Sequence, residues 1–438
     1  MLTTLRNAFK VKDIRKKLLF TFLMLVVIRL GSNLPIPGVQ TDFFANFFAQ
    51  QTGDAFGFFN AMTGGSFESL SILALSITPY ITSSIIVQLM TIAIPKLEEM
   101  QKDGEEGRKK IVEYTRYVTV ALAFIESIAM AVGFGRQGLI PDFGVKSVVV
   151  VVLTMTAGSA FLMWIGERIT EKGVGNGISI VLLLNILSSL PQDLFTLYTR
   201  FMQNKSIALM VVIGLIIAAC ILAMIVFVIV LNGAERRIPV QYSAKTQGRR
   251  MVGGQSSNIP LKVNTAGVIP VIFASSIMSF PVVISQFFNV DPTSIGGKIL
   301  AVLSSSNWFV PERPKYSIGV LLYIVLVILF AYFYTSITFN PLEIADNMKK
   351  QGGFIPGIRP GKPTSDYLSK ILNYIIFIGA CGLLIVAMVP IVLSGIFSVA
   401  SLSFSGTSLI IIAGVILETL KSIESQMLVR NYRGFLVS

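Results

Sequence analysis

The chain has 438 residues, 53% hydrophobic and only 13% charged, with a mean hydropathy of +0.74. A soluble globular chain carries far more charge, so the composition points to an all-α polytopic membrane protein. A net charge of +13 would suit nucleic acid in a soluble protein, but here it fits orienting loops and attraction to anionic lipid, while the absence of histidine and the placement of Cys220 and Cys381 inside apolar runs exclude disulfide frameworks, zinc sites and Cys–His nucleophiles.

Residues 1–17 read as a basic amphipathic helix, with Leu5, Phe9 and Ile14 set among Arg6, Lys10, Lys12, Arg15, Lys16 and Lys17, suited to lying on an anionic leaflet. The first apolar run is not a removable leader, because Arg29 interrupts it and Pro35 and Pro37 stand where a small-residue cleavage site would fall. Ten spans are expected, at roughly 18–34, 76–94, 117–134, 147–169, 177–190, 207–231, 263–288, 317–339, 368–393 and 401–429, most of them near the twenty or so apolar residues that a bilayer requires. The fifth is short and contains Asn185, the mark of a span covered by protein.

The run Gly64 to Met90 is unlike a lipid-facing span. It opens on a glycine pair, contains Pro79, and carries Ser71, Ser76, Thr78, Thr82, Ser83, Ser84 and Gln88. Broken backbone at membrane depth is tolerated only where protein covers it or it lines a cavity, since an unpaired peptide group facing lipid costs several kcal/mol. Residues 60–75 are therefore expected to form a short re-entrant piece, and 76–90 a helix facing an interior.

With a cytoplasmic start, ten spans put 28 of the 36 Lys and Arg residues on the cytoplasmic side and seven outside, with Arg29 inside a span. That is the sense of the positive-inside rule and places both termini in the cytoplasm of a multi-pass plasma-membrane protein. The halves 18–195 and 196–438 echo each other: Pro79-Tyr-Ile81-Thr-Ser-Ser84 in the second span is answered by Pro270-Val-Ile272-Phe-Ala-Ser-Ser276 in the seventh. Two repeats of five spans have inverted orientation, the arrangement in which pathways form at the repeat interface.

Little in the chain resembles catalytic machinery. The intramembrane ionisable residues are Arg29, Glu126, Glu418 and Glu424, too few and scattered for a proton relay or a charged filter. There is no nucleophile elbow and no phosphate-cradling loop, and the GVGNG at Gly173 to Gly177 follows a helix instead of a strand, which makes it a tight turn. No enzyme activity and no cofactor are implied.

Two long cytoplasmic loops remain, 232–262 and 340–367. In the first, Ile238, Val240 and Tyr242 alternate before a Gln247-Gly248 turn, which predicts a projecting hairpin with Arg249 and Arg250 just past its tip. In the second, glycines and prolines surround Arg359, so the loop presents one arginine with little ordering entropy.

Four stretches, in order, resemble signatures of the SecY family, the pore subunits of the bacterial Sec protein-translocation channel: Ser71 to Gln88, Gly166 to Ser179, the TAGVIP before Ile272 to Ser276, and Phe339 to Gly361. Ser76 departs from the family pattern, which has glycine there. The resemblance implies ten transmembrane helices in two pseudo-symmetric inverted halves around a central pore, with a short re-entrant plug helix at 60–73. It implies a pore ring of Ile77, Ile81, Leu182, Ile186, Ile272 and Ile411 (or Ile410), a plug that includes Asn60, Gly64, Gly65, Ser66 and Leu70, and a lateral gate where Thr82, Gln88 and Ser276 hydrogen-bond across the seam of the second and seventh spans. The implied partners are SecE and SecG subunits, the SecA motor ATPase and the ribosome docking at Arg249, Arg250 and Arg359, a secretory polypeptide with its signal sequence, and membrane lipid. On this reading unfolded polypeptide crosses the membrane and hydrophobic segments leave sideways into lipid. The inverted halves alone also admit a secondary transporter of a small solute, which would need a compact charged or unwound site at mid-membrane.

Overall fold

The computed structural model describes residues 9–40, 60, 63–135, 138, 140–203, 206–242, 245–247, 250–252, 256–285, 294–304, 307–309, 314–397 and 406–435. Ten helices occupy the ten expected places: α1 (Lys12–Ser32), α2 (Thr78–Ala93), α4 (Gly104–Phe134), α5 (Val145–Lys172), α6 (Gly177–Leu197), α7 (Ile207–Gly233), α8 (Ile269–Ser285), α10 (Ile318–Thr338), α12 (Lys362–Phe397) and α13 (Gly406–Phe435). Shorter helices α3 (Pro95–Lys102), α9 (Ile295–Leu303) and α11 (Pro341–Lys350) lie between them. Among the described residues five helices are long and apolar enough alone to cross a membrane, and α2 with α3, bent by 107°, makes a sixth.

Several boundaries differ from those read in the sequence, for local reasons. The basic segment and the first span share one helix from Lys12, with no break at residue 17. Pro79 does not interrupt a helix but sits in the first turn of α2, where its missing N–H costs nothing. Pro270 occupies the matching place at the start of α8. Asn176 caps α6 by accepting from Ile178 N and Ser179 N. The GVGNG turn before it is clasped by two other spans: Thr21 Oγ1 accepts from Val174 N at 3.3 Å, and a Cβ on Gly175, whose φ is +73°, would lie 3.0 Å from Thr419 Oγ1.

The helices bury unequally. Only 6% of the apolar window of α7 is buried, against 56% of that of α12, so α7 turns an apolar surface outward on nearly every side and α12 runs through the interior.

The first long loop is the expected hairpin. Strands β1 (Glu235–Tyr242) and β4 (Ser256–Lys262) pair antiparallel with Ile238 opposite Ile259, and β2 (Lys245–Gln247) pairs with β3 (Arg250–Val252) beyond them. A fifth strand from the second loop, β5 (Gly353–Phe354), adds to the free edge of β1. Ile238, Val240 and Leu261 then bury against Met348, Ile355, Leu368 and Ile371, which packs the sheet onto α11 and α12.

Candidate functional site: an aliphatic constriction and its re-entrant cover

The stretch between α1 and α2 folds back into the helical shell. Asn60 and Thr63 are helical and turns follow from Gly64 to Ile77, interrupted by a bridge in which Ser71 pairs with Pro35. Ile36 N donates to Leu70 O at 3.0 Å and Ile72 N to Leu34 O at 2.8 Å, so a short ladder satisfies peptide groups that no helix serves. Asn60 closes the segment on itself, donating through Nδ2 to Glu68 Oε2 at 2.9 Å and accepting from Glu68 N. Phe67 and Leu70 bury beside Met130, Phe134 and Met155, and Ser66 is buried as well.

Two of these turns are held from outside. Gly64 has φ +66°, and a Cβ there would lie 2.6 Å from Ser188 Oγ and 2.8 Å from Asn185 Cα, so glycine is required twice over. Its carbonyl accepts from Arg29 Nη1 at 3.2 Å and from Ser188 Oγ at 3.3 Å. Gly65, at φ +83°, supplies the second left-handed turn. Ser76 has φ +53°, the conformation that makes glycine the natural occupant. Its side chain performs another task here, since Ser76 Oγ accepts from Asn185 Nδ2 at 2.8 Å while its carbonyl accepts from Ser159 Oγ at 3.2 Å. Gly158 completes the cradle: a Cβ on it would come within 1.9 Å of Ile72 O, so α5 can lie against the re-entrant backbone only with hydrogen at that position.

The sequence reading missed Gly158, Ser159 and Ser188 and singled out Asn185 only as a mark of burial. Their signal is a small or polar residue within an apolar run, the same signal that marks Ser71 to Gln88. Arg29, read as an intramembrane charge able to reach an interface, donates to the carbonyl of Gly64 beside Ser188. Glu126 lies midway along α4 and is partly buried, and Glu418 on α13 is exposed.

The aliphatic residues named for the ring come together. Ile77, Leu182, Ile186, Ile272 and Ile411 are buried in one cluster, and Ile81 packs against it. They arrive from α2 and its N-cap, α6, α8 and α13, so both halves of the chain contribute. The neighbouring Ile410 belongs to a different cluster with Val228, Leu231 and Val271, which separates the two candidates for that position. Leu73 of the re-entrant segment is in the cluster with the ring residues. None of the five buried members exceeds 8% exposure, so they touch one another where a water-filled passage would leave them wet.

Beside the cluster, on the hairpin side, α2 and α8 diverge around a cavity of about 600 Å3. Ile81, Ser84, Ile85 and Gln88 line it from α2, and Ile269, Ile272 and Phe273 from the other half. Its mouth carries Arg116, paired with Glu167 at 2.8 Å, and Arg168, paired with Glu171 at 2.6 Å. The expected seam bonds differ in detail. Thr82 Oγ1 donates to Thr78 O of its own helix at 3.1 Å, the usual resting place of a helical threonine. Gln88 lines the cavity from α2, and Ser276 is half-buried on α8.

Of the three arginines assigned to docking, Arg359 is exposed in the loop before α12 and its carbonyl accepts from Thr364 Oγ1 at 2.8 Å. Arg250 lies in β3, and Arg249 falls outside the described residues.

The SecY family model matches residues 71–420. The chain is similar over its whole length to the protein translocase subunit SecY of Halalkalibacterium halodurans, at 44% identity with all of both chains covered. That of Bacillus subtilis is 42% identical, again with all of both chains covered. Among solved structures it superimposes on a protein-conducting channel with a TM-score of 0.62 at 17% identity, over 95% of this chain and 93% of that one. It also superimposes on Sec61 in the canine ribosome–channel complex, with a TM-score of 0.62 at 16% identity and the same coverage. These structural likenesses show the ten-helix fold with its plug, and the translocase-subunit relatives overturn the small-solute transporter alternative. The chain belongs to the SecY family.

Proposed function

We propose that this chain is the pore-forming subunit of a protein translocase, passing unfolded polypeptide across the plasma membrane and releasing apolar segments sideways into lipid. The observation that carries the reading is the convergence of Ile77, Ile81, Leu182, Ile186, Ile272 and Ile411 in one cluster drawn from both halves. A conduit for polypeptide must admit every side chain yet hold back ions. Branched aliphatic side chains achieve both: closed on one another they exclude water, and parted they wrap any peptide without a fixed polar preference.

The re-entrant segment is the plug. Its side-chain anchors are single hydrogen bonds with Arg29, Asn185, Ser159 and Ser188, each worth about 0.6–2 kcal/mol between membrane helices, and they add to the backbone bonds with residues 34 and 36 and to the burial of Phe67 and Leu70. The cavity between α2 and α8 is the lateral gate, with apolar walls for a signal sequence to replace. The halves 18–195 and 196–438 move against each other as units, with SecE and SecG bound around them. The hairpin and the Arg359 loop face the cytoplasm, as do both termini, and meet the ribosome or SecA there. The energy for movement comes from such a partner or from the membrane potential.

The test is to place cysteines at Ser84 and Phe273, which line the cavity from α2 and from α8, in a background lacking Cys220 and Cys381. Bridging them with a short bifunctional reagent is expected to abolish secretion in reconstituted vesicles, and a cleavable reagent to restore it on reduction. Undiminished secretion through the bridged protein would overturn the gate assignment.

A further inference from the structure

The re-entrant segment carries one charge. From Ala55 to Pro95 the sequence holds a single acidic or basic residue, Glu68. Its carboxylate accepts from Asn60 Nδ2 at 2.9 Å, and Glu68 N donates to Asn60 Oδ1 at 3.3 Å, so the charge is tied to the segment itself and must travel with it. Among the described residues no lysine or arginine pairs with it. Arg29 donates instead to the carbonyl of Gly64 and belongs to α1, a span that stays in place when the segment leaves.

A membrane potential falls chiefly across the stretch of a conduit that holds least water. The aliphatic side chains closed on one another make such a stretch, and the segment is seated against it through Leu73, a member of the same cluster. Displacing the segment therefore carries Glu68, itself half-buried, through part of the voltage drop. One elementary charge moved through the whole of a 100 mV drop changes an equilibrium about 50-fold, and a third of that drop still gives about fourfold. The sign is fixed by the charge: with the hairpin side negative, an anion is driven away from that side, which is the direction in which the segment clears the constriction.

We propose that Glu68 is a voltage sensor of the plug, through which a potential negative on the hairpin side draws the segment off the aliphatic cluster. The proposal rests on the orientation and the plug assigned above, and it names the group on which the potential acts. Ser66 is buried at 2% exposure, so Ser66→Cys, in a background lacking Cys220 and Cys381, reports displacement of the segment. The full chain is reconstituted in vesicles, a potassium diffusion potential is imposed with valinomycin, and a membrane-impermeant thiol reagent is added outside, where it reads the copies whose hairpin faces the lumen. A lumen 100 mV negative is expected to speed labelling about fourfold over zero potential, and the opposite polarity to slow it. Glu68→Gln, which keeps an oxygen for Asn60, is expected to flatten the response, and Glu68→Lys to reverse its sign. An unchanged response in Glu68→Gln, or the parental sign in Glu68→Lys, would overturn the proposal. Labelling of the parent that ignores the potential would overturn the voltage sensor alone, whereas a parent that is never labelled at any potential would overturn the plug assignment with it.

Discussion

Asn185 of α6 and Ser76, 109 positions apart in the chain, meet through a hydrogen bond of 2.8 Å from the amide to the hydroxyl. Ser76 marks the point where irregular backbone becomes the helix α2, and its φ of +53° is unfavourable for any residue with a side chain. The bond therefore fixes a strained joint between the re-entrant segment and α2.

Asn185→Leu removes the donor and leaves an apolar side chain of similar size. The closed plug is expected to lose about 1–2 kcal/mol, which shifts its open population roughly 5–30-fold. Single-channel recording in planar bilayers should show more frequent brief openings without substrate. Ser76→Gly would relax the backbone and delete the acceptor at once, so its openings should increase less.

Gly158 faces the carbonyl of Ile72 with no room for a methyl group. Gly158→Ala is expected to push α5 and the re-entrant segment apart. A cysteine at Ile72 should then be labelled by a membrane-impermeant thiol reagent several-fold faster than in the parent, and an unchanged labelling rate would refute the close contact.

Substituting Ile77 and Ile272 together by serine places two hydroxyls in the dry cluster. Wetting an apolar constriction lowers its barrier to ions, so potassium efflux from loaded vesicles should rise by about an order of magnitude. Leucine at both positions keeps the constriction apolar and should leave efflux near the parental value.

Arg116 and Glu167 form an ion pair at the cavity mouth with side chains 48% and 22% exposed. Such a pair is worth about 0.2–1 kcal/mol in water-accessible surroundings. A double-mutant cycle with Arg116→Gln and Glu167→Gln, read by thermal unfolding in detergent, should give a coupling in that range that fades at high salt.

Arg359→Glu reverses the charge of an exposed loop residue that makes no contribution to the helical core. The folded protein is expected to be as stable as the parent but to bind ribosomes about tenfold more weakly at low salt, with a shallower salt dependence. Pelleting assays across a salt series distinguish this outcome from misfolding.

Much of this architecture was legible from periodicity and charge. Ten apolar runs and the sorting of Lys and Arg located every long helix, and the alternation of Ile238, Val240 and Tyr242 announced β1. The aliphatic residues were identifiable only through the family resemblance, because an inward isoleucine and a lipid-facing one look alike to hydropathy. The anchors of the plug were harder still. Ser159 and Ser188 are single hydroxyls in long apolar helices, and a helical serine can bond its own backbone as readily as another segment. Their partners, the carbonyls of Ser76 and Gly64, are backbone groups exposed by turns that no local propensity specifies. For Thr82 the local alternative prevailed.

The strand β5 couples two stretches of chain that the sequence keeps more than a hundred residues apart. Tyr242 pairs with Gly353 and Gln241 with Phe354, and the loops on either side share one apolar interior with α11 and α12. A load applied to either loop reaches all four of the transmembrane helices that the two loops join. Chimeras that exchange one of these loops between relatives should fail wherever exchange of the two together succeeds.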